Sequence, residues 1–167
     1  LPRPVPGFVA RARLIEQLDS GLTRTLTLVC APVGFGKTSM LADWSQPRAP
    51  AVGWLTLDEG DNDPVRFWRY VAAAVDRIRP GLATRVAALL GSPASGSFEG
   101  LVTQVINELA AEPEERVLVL DDYHVIENSV VHESLSFLVE HAPAALHVVV
   151  ASRADPPLPL ARLRVRG

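Results

Sequence analysis

The sequence predicts an α/β fold, three layers of helix, sheet and helix around a mainly parallel sheet, on three observations. Short apolar runs rich in Leu and Val alternate along the chain with longer stretches whose apolar residues recur at helical spacing. That alternation is the pattern of strands joined through helices, which builds a parallel sheet. Between the first run and the helix after it stands the glycine-containing stretch APVGFGKT, in the order strand, loop, helix.

Taken in order, the predicted strands are residues 25–30, 52–57, 117–121 and 146–151. Each is apolar enough to be covered on both faces. The clearest helix follows Asp63 and Pro64, a capping residue and then proline at the first helical position. Its apolar stripe is Phe67, Tyr70, Val71, Ala74, Val75 and Ile78. A second stripe, Phe98, Leu101, Val102, Val105, Ile106 and Leu109, leads into the third strand. Between the two, GSPASGS reads as a surface loop, and DPPLPL near the end must interrupt regular structure. No internal repeat is visible.

A chain of 167 residues, 48% hydrophobic and 21% charged, suffices for one domain with a sizeable core. A net charge of −3 excludes the basic footprint of a nucleic-acid binder for this chain as a whole. The single cysteine, Cys30, excludes an internal disulfide and a cysteine-rich zinc site, and the cytoplasm is the expected compartment. No apolar run approaches the roughly 18 residues of a membrane span, and LPRPVPG is no signal-peptide core. The chain starts without Met and stops at ARLRVRG, within what reads as a helix, so a fragment of a longer protein is expected.

APVGFGKT fits the phosphate-loop pattern G-x-x-x-x-G-K-[ST], with Ala31 in place of the first glycine. Gly34 and Gly36 let the backbone from Val33 through Phe35 curl, so that successive N–H groups face phosphate oxygens. The first helical turn, Lys37, Thr38 and Ser39, adds the positive end of the helix. Lys37 is expected to reach the β- and γ-phosphates and Thr38 to ligate Mg²⁺. Alanine at position 31 is harmless provided that its φ is negative.

The run VLVLDDYH ends a buried strand in two carboxylates, where a P-loop NTPase keeps Mg²⁺ and the attacking water. Asp121 is the expected metal-side residue. Asp122, which either points the other way by alternation or is the first loop residue, is the candidate for orienting or deprotonating water. One candidate strand lies in sequence between the two motif strands, which suggests the P-loop subclass that inserts a strand between them. That subclass usually carries Glu where Asp122 stands, so slow hydrolysis is expected of the shorter side chain. The fourth strand brings Ser152 and Arg153 to the same carboxyl edge, where Arg153 can sense a γ-phosphate.

Together these residues resemble the STAND class of signal-transducing P-loop ATPases, and within it the MalT-like, large LuxR-type regulators. The stretches that carry the resemblance are LTLVCAPVGFGKT, GWLTLDEGDNDPVRFWRYVAAAV, VLVLDDYHVI and VVVASRADPPLPLARLRVRG. The resemblance implies that FVARARLIEQL packs over adenine, with Phe8, Val9 and Arg11 lining the base pocket, so that residues 1–24 form an adenine-side segment and helix ahead of a core at 25–167. It implies that Arg153 is the sensor arginine, and that Asp121 and Asp122 take the two acidic roles. It further implies an ADP-held closed state, self-association in the ATP state, and sensor and DNA-binding parts beyond residue 167. A fifth strand would also lie there, leaving the first strand at a sheet edge.

Other features have plainer readings. His124, His132, His141 and His147 lack the paired spacing of a metal site and read as surface or packing residues. Trp44, Trp54 and Trp68 read as core or rim. The acidic stretch 58–63, DEGDND, lacks the glycine and glutamate spacing of a calcium loop and reads as a helix-capping loop near the nucleotide. Arg162, Arg164 and Arg166 read as a solvated helix face. The functional expectation is therefore an Mg-ATP/ADP-binding switch with slow hydrolysis. Its rivals are a STAND ATPase joined to a different effector, a nucleotide-binding interaction module without turnover, and a small-molecule kinase.

Overall fold

In the computed structural model, residue 2 and residues 11–78, 80–91, 98–111 and 114–160 are described. The loop 92–97, the trailing arginines and the expected base-pocket residues Phe8 and Val9 lie outside them. The strands are β1 (Leu26–Cys30), β2 (Val52–Thr56), β3 (Arg116–Asp121) and β4 (Leu146–Ser152). They form one all-parallel sheet in the order β1-β4-β3-β2. The inserted strand is thus β4, which separates β1 from β3 in space. Cys30 pairs with Ser152 and Thr56 with Asp121, so the carboxyl ends finish nearly level along one edge.

Burial along the strands follows their place in the sheet. Every residue of β3 and β4 is buried. The edge strands differ from the expectation of two covered faces: β1 is only half-buried and β2 opens toward its carboxyl end. An edge strand has one neighbour fewer to shield it, and apolar composition alone cannot tell an edge from a centre.

Among the described residues six helices pack around the sheet: α1 (Ala12–Gly21), α2 (Lys37–Ser45), α3 (Pro64–Asp76), α4 (Leu82–Leu90), α5 (Phe98–Ala110) and α6 (Ser129–His141). Strand alternation divides the core in two. Leu118, Leu120, Leu146, Val148 and Val150 face α3 to α6. Val117, Val119, Val149 and Ala151 face Leu18 of α1 and Met40, Leu41 and Trp44 of α2. Helix α3 starts as its sequence dictates, with Asp63 accepting from the N–H of Val65 at 2.8 Å and of Arg66 at 3.1 Å, and Pro64 in the first turn. Gly53 lets α3 lie close on β2, since a Cβ there would stand 2.7 Å from the Ala74 carbonyl oxygen.

One member of the α3 stripe departs from expectation. Tyr70 is 43% exposed, and its ring lies 5.3 Å from the Arg66 guanidinium, while Trp68 takes the fully buried place. Trp68 donates its indole N–H to Ser134 Oγ at 3.0 Å, which satisfies the one polar atom that its burial would strand.

Candidate functional site

The loop between β1 and α2 turns on two glycines, Gly34 with φ 83° and Gly36 with φ 76°. Both lie in the left-handed region, which glycine enters without the penalty a Cβ brings. Asp122 is the one non-glycine with positive φ among the described residues, so Ala31 keeps the negative φ that its replacement of glycine requires. Ala31 N–H donates to the Ser152 carbonyl at 3.3 Å and ties the loop's first residue to β4. Val33 and Phe35 stand 70% and 59% exposed at the loop tip, and Ser39 is half-buried in the first turn of α2.

Two side chains close the loop onto the sheet. Lys37 Nζ donates to the carbonyls of Ala31 at 2.5 Å and Pro32 at 3.2 Å, so the cation rests across the loop. Thr38 Oγ1 donates to Asp121 Oδ2 at 2.8 Å, joining residues 83 positions apart. Asp121 follows Val117 and Val119 on the α2 face of β3 and is wholly buried.

Burial raises the pKa of Asp121, and the charge of Asp122 adds to the rise. The Thr38 hydroxyl, the Asp122 N–H and the Lys37 charge work against it. The carboxylate is therefore desolvated with no cation in hydrogen-bond contact among the described residues. That state fits a divalent cation beside Thr38 and Asp121, since a bound charge there would offset the cost of burial. No group of three or more His, Cys, Asp or Glu gathers at one point among the described residues, so a cation here needs oxygens from a ligand or water as well.

Asp122 proves to be the first loop residue, with φ 57° and ψ 35°, a conformation Asp tolerates better than most. Its N–H donates to Asp121 Oδ1 at 3.0 Å, and its carboxylate lies 3.7 Å from His124 Nδ1. Beyond β4, Ser152 is buried and bonded through Oγ to the Ala154 carbonyl at 2.5 Å, whereas Arg153 is exposed. Arg153 lies close enough to His124 to oppose its protonation. Residues 37, 38, 121, 122, 124 and 153 thus gather at one end of the sheet.

On the other side of the loop, a cavity of about 290 Å³ lies between α1, β1 and the phosphate loop. Arg11, the residue before α1, lines it together with Leu14, Phe35 and Met40. Of the three residues expected around a base, Arg11 is therefore the one that the described structure puts beside the loop.

Two contributors escaped the sequence reading. His124 was expected at the surface or in packing; it is half-buried, next to Asp122. The signal was its position two residues after the acidic pair in VLVLDDYH. The second is Asn62. Its Oδ1 accepts the N–H groups of Glu127 at 2.7 Å and Asn128 at 3.0 Å, and its Nδ2 donates to the Val125 carbonyl at 2.8 Å. Loop 58–63 is thereby pinned to the segment that follows Asp122. Its carboxylates serve structure: Asp58 and Asp61 pair with Arg66, and Asp63 caps α3.

A parallel sheet carrying a glycine-turned loop, a lysine across that loop and a Thr–Asp bridge to the end of β3, one strand removed from β1, defines an α/β domain of the P-loop class. Over nearly its whole length the chain is MalT-like. It is 39% identical over 99% of its residues to the HTH-type transcriptional regulator MalT of Cronobacter sakazakii. Similar figures hold for the MalT of Serratia proteamaculans (40%) and of Vibrio parahaemolyticus (39%), each matched over 99% of the chain. The chain spans 18% of the length of these relatives. No family model matches it. Among solved structures, Drosophila ORC bound to poly(dA/dT) DNA and Cdc6 overlays 92% of this chain and 26% of its own, at TM-score 0.46 and 16% identity. The loop geometry and the MalT relatives together support a nucleotide-binding regulatory domain.

Proposed function

We propose that the chain binds Mg-ATP and Mg-ADP, hydrolyses ATP slowly, and uses the nucleotide state to set self-association of a signal-responsive, cytoplasmic transcription regulator. The observation that carries this reading is the 2.8 Å bond between Thr38 and Asp121, because it assembles a hydroxyl and a buried carboxylate at the end of a phosphate loop. Contact with DNA is assigned to parts of the longer protein outside this chain, in keeping with the MalT relatives and with the net charge of −3.

In this reading the loop N–H groups from Val33 to Gly36 and the start of α2 hold the phosphates, while Arg11 flanks the base. Lys37 exchanges the Ala31 and Pro32 carbonyls for phosphate oxygens. Thr38 and Asp121 would hold a magnesium ion, whose chemistry would be charge neutralisation at the phosphates. Asp122 orients the attacking water, and its shorter side chain keeps turnover slow. Arg153 reads the γ-phosphate, the group that distinguishes ATP from ADP; only such a differential contact can bias a conformational equilibrium.

Titration calorimetry tests the proposal. Mg-ATP and Mg-ADP are expected to bind the wild type, and Lys37→Ala to weaken both by at least about tenfold, since charge-assisted contacts to phosphate contribute roughly 1.5–3 kcal/mol. Equal affinities in the two proteins would remove the phosphate-loop assignment. The rival without turnover draws on the short Asp122 side chain; it is favoured if the wild type binds nucleotide yet releases no phosphate.

A further inference from the structure

We propose that His124 is the positioning residue for Asp122, holding its carboxylate through a hydrogen bond donated from Nδ1. The inference deepens the site described above and rests on the reading of Asp122 as the water-orienting group.

Three observations meet at this ring. First, Nδ1 is buried and has no hydrogen-bond partner among the described residues. A buried ring nitrogen without a partner is costly, and such exceptions call for a physical account. Second, Asp122 Oδ1 lies 3.7 Å from it. This is beyond hydrogen-bond range but needs less than about 1 Å of side-chain movement to close.

Third, the backbone between the two residues is fixed. Asp122 O accepts the Val125 N–H at 3.2 Å, and Asn62 holds Val125 O, Glu127 N and Asn128 N from the far side. With the turn pinned, the remaining freedom is rotation of the Asp122 and His124 side chains. One bond between them removes it.

The charges around the ring support the same pairing. Burial, Arg153 and Lys37 all disfavour the imidazolium, while Asp122 and Asp121 favour it; the net direction is toward the neutral ring. A neutral imidazole carries one proton and must place it on one nitrogen. A proton on Nδ1 meets Asp122; a proton on Nε2 leaves Nδ1 as an acceptor facing a carboxylate, which is repulsive. The carboxylate thus selects the tautomer, and the tautomer orients the carboxylate. Asp122 is held on one oxygen, and the other stays available to water.

The test is ¹⁵N NMR of the imidazole rings in the full chain, read with and without Mg-ADP, and in Asp122→Ala. The expected result is a neutral Nδ1–H tautomer for His124 that reverts to Nε2–H in Asp122→Ala. An Nε2–H tautomer in the wild type in both states, or a tautomer indifferent to Asp122→Ala, overturns the proposal. Phosphate release supplies a second measurement. His124→Ala is expected to lower turnover by at least about tenfold. Its Mg-ATP affinity should remain within about twofold of the wild type, and Asp122→Ala should add no further loss in the double variant. His124→Asn, which keeps a donor near the Nδ1 position, should recover part of the rate. Wild-type turnover in His124→Ala, or losses that multiply in the double variant, overturns it. Failure of the nucleotide reading registers separately, as unchanged affinity in Lys37→Ala, while the tautomer still decides the His124–Asp122 pair.

Discussion

The two faces of the sheet do different work. On one, α3 to α6 lay a continuous apolar layer, with Phe67, Trp68, Leu82, Leu135 and Leu138 essentially out of solvent. On the other, α1 and α2 cover less, β1 stays half-open, and a cavity of about 290 Å³ sits beside the phosphate loop. Both faces draw on the same central strands, alternate residues of which point each way. The difference teaches that stability and ligand contact can be separated within a single sheet: the deep face carries the packing, and the shallow one keeps polar groups within reach of a ligand.

The largest expected effect tests that separation directly. Leu120 is fully buried on the deep face, and Leu120→Ala should destabilise the fold by about 2–5 kcal/mol. Val29, partly buried on the shallow face, should lose only about 1 kcal/mol as Val29→Ala. Urea unfolding measures both, and equal losses would mean that the faces share the packing after all.

A smaller effect is expected at the carboxyl edge, in ligand affinity. Arg153→Ala should weaken ATP-analogue binding by about 1.5–3 kcal/mol, the contribution of a charged hydrogen bond, and change ADP affinity by less than about 0.5 kcal/mol. Calorimetry with both nucleotides checks this, and an apo melting temperature close to that of the wild type is expected because Arg153 is exposed. Equal losses for the two nucleotides would make Arg153 a structural support and remove the sensor.

The subtlest effect follows from the raised pKa of Asp121. A carboxyl group with a folded pKa above its unfolded value favours the fold most when protonated, below the unfolded pKa. That contribution is lost as pH rises through the folded pKa. Asp121→Asn removes the loss, so the apo variant should gain stability over the wild type with rising pH and lose the advantage in acid. Melting curves across the carboxylate range measure the difference. A variant less stable than wild type at neutral pH would show that hydrogen bonding at Asp121 outweighs desolvation.

Much of this was legible from residue order. The four strands, the Asp63–Pro64 start of α3 and the curl at Gly34 and Gly36 all follow from local chemistry at a fixed spacing. What escaped was set by neighbours distant in sequence. The open faces of β1 and β2 depend on strand order, and Tyr70 turned outward because Trp68 took the buried place. Asn62 looks like one more polar loop residue until the fold sets it against residues 125–128. Helices α4 and α6 went unremarked. The first is short, and the second buries a polar residue in its apolar face, His132, whose Nδ1 is hydrogen-bonded to the Tyr123 hydroxyl at 2.8 Å. Polar residues satisfied by a remote partner carry no periodic signature.

The bond between Thr38 and Asp121 also bears on the sequence of arrival at the site. The two groups satisfy one another, so an incoming ion would have to displace a contact already made. The net contribution of such a contact is small, about 1 kcal/mol, yet the ion must also shed tightly held water for only two protein oxygens in exchange. Under the proposed function, a bare magnesium ion would gain little by entering alone. One carried on a polyphosphate would bring further ligands with it. The latch would then favour arrival of the metal and nucleotide as one species over stepwise loading.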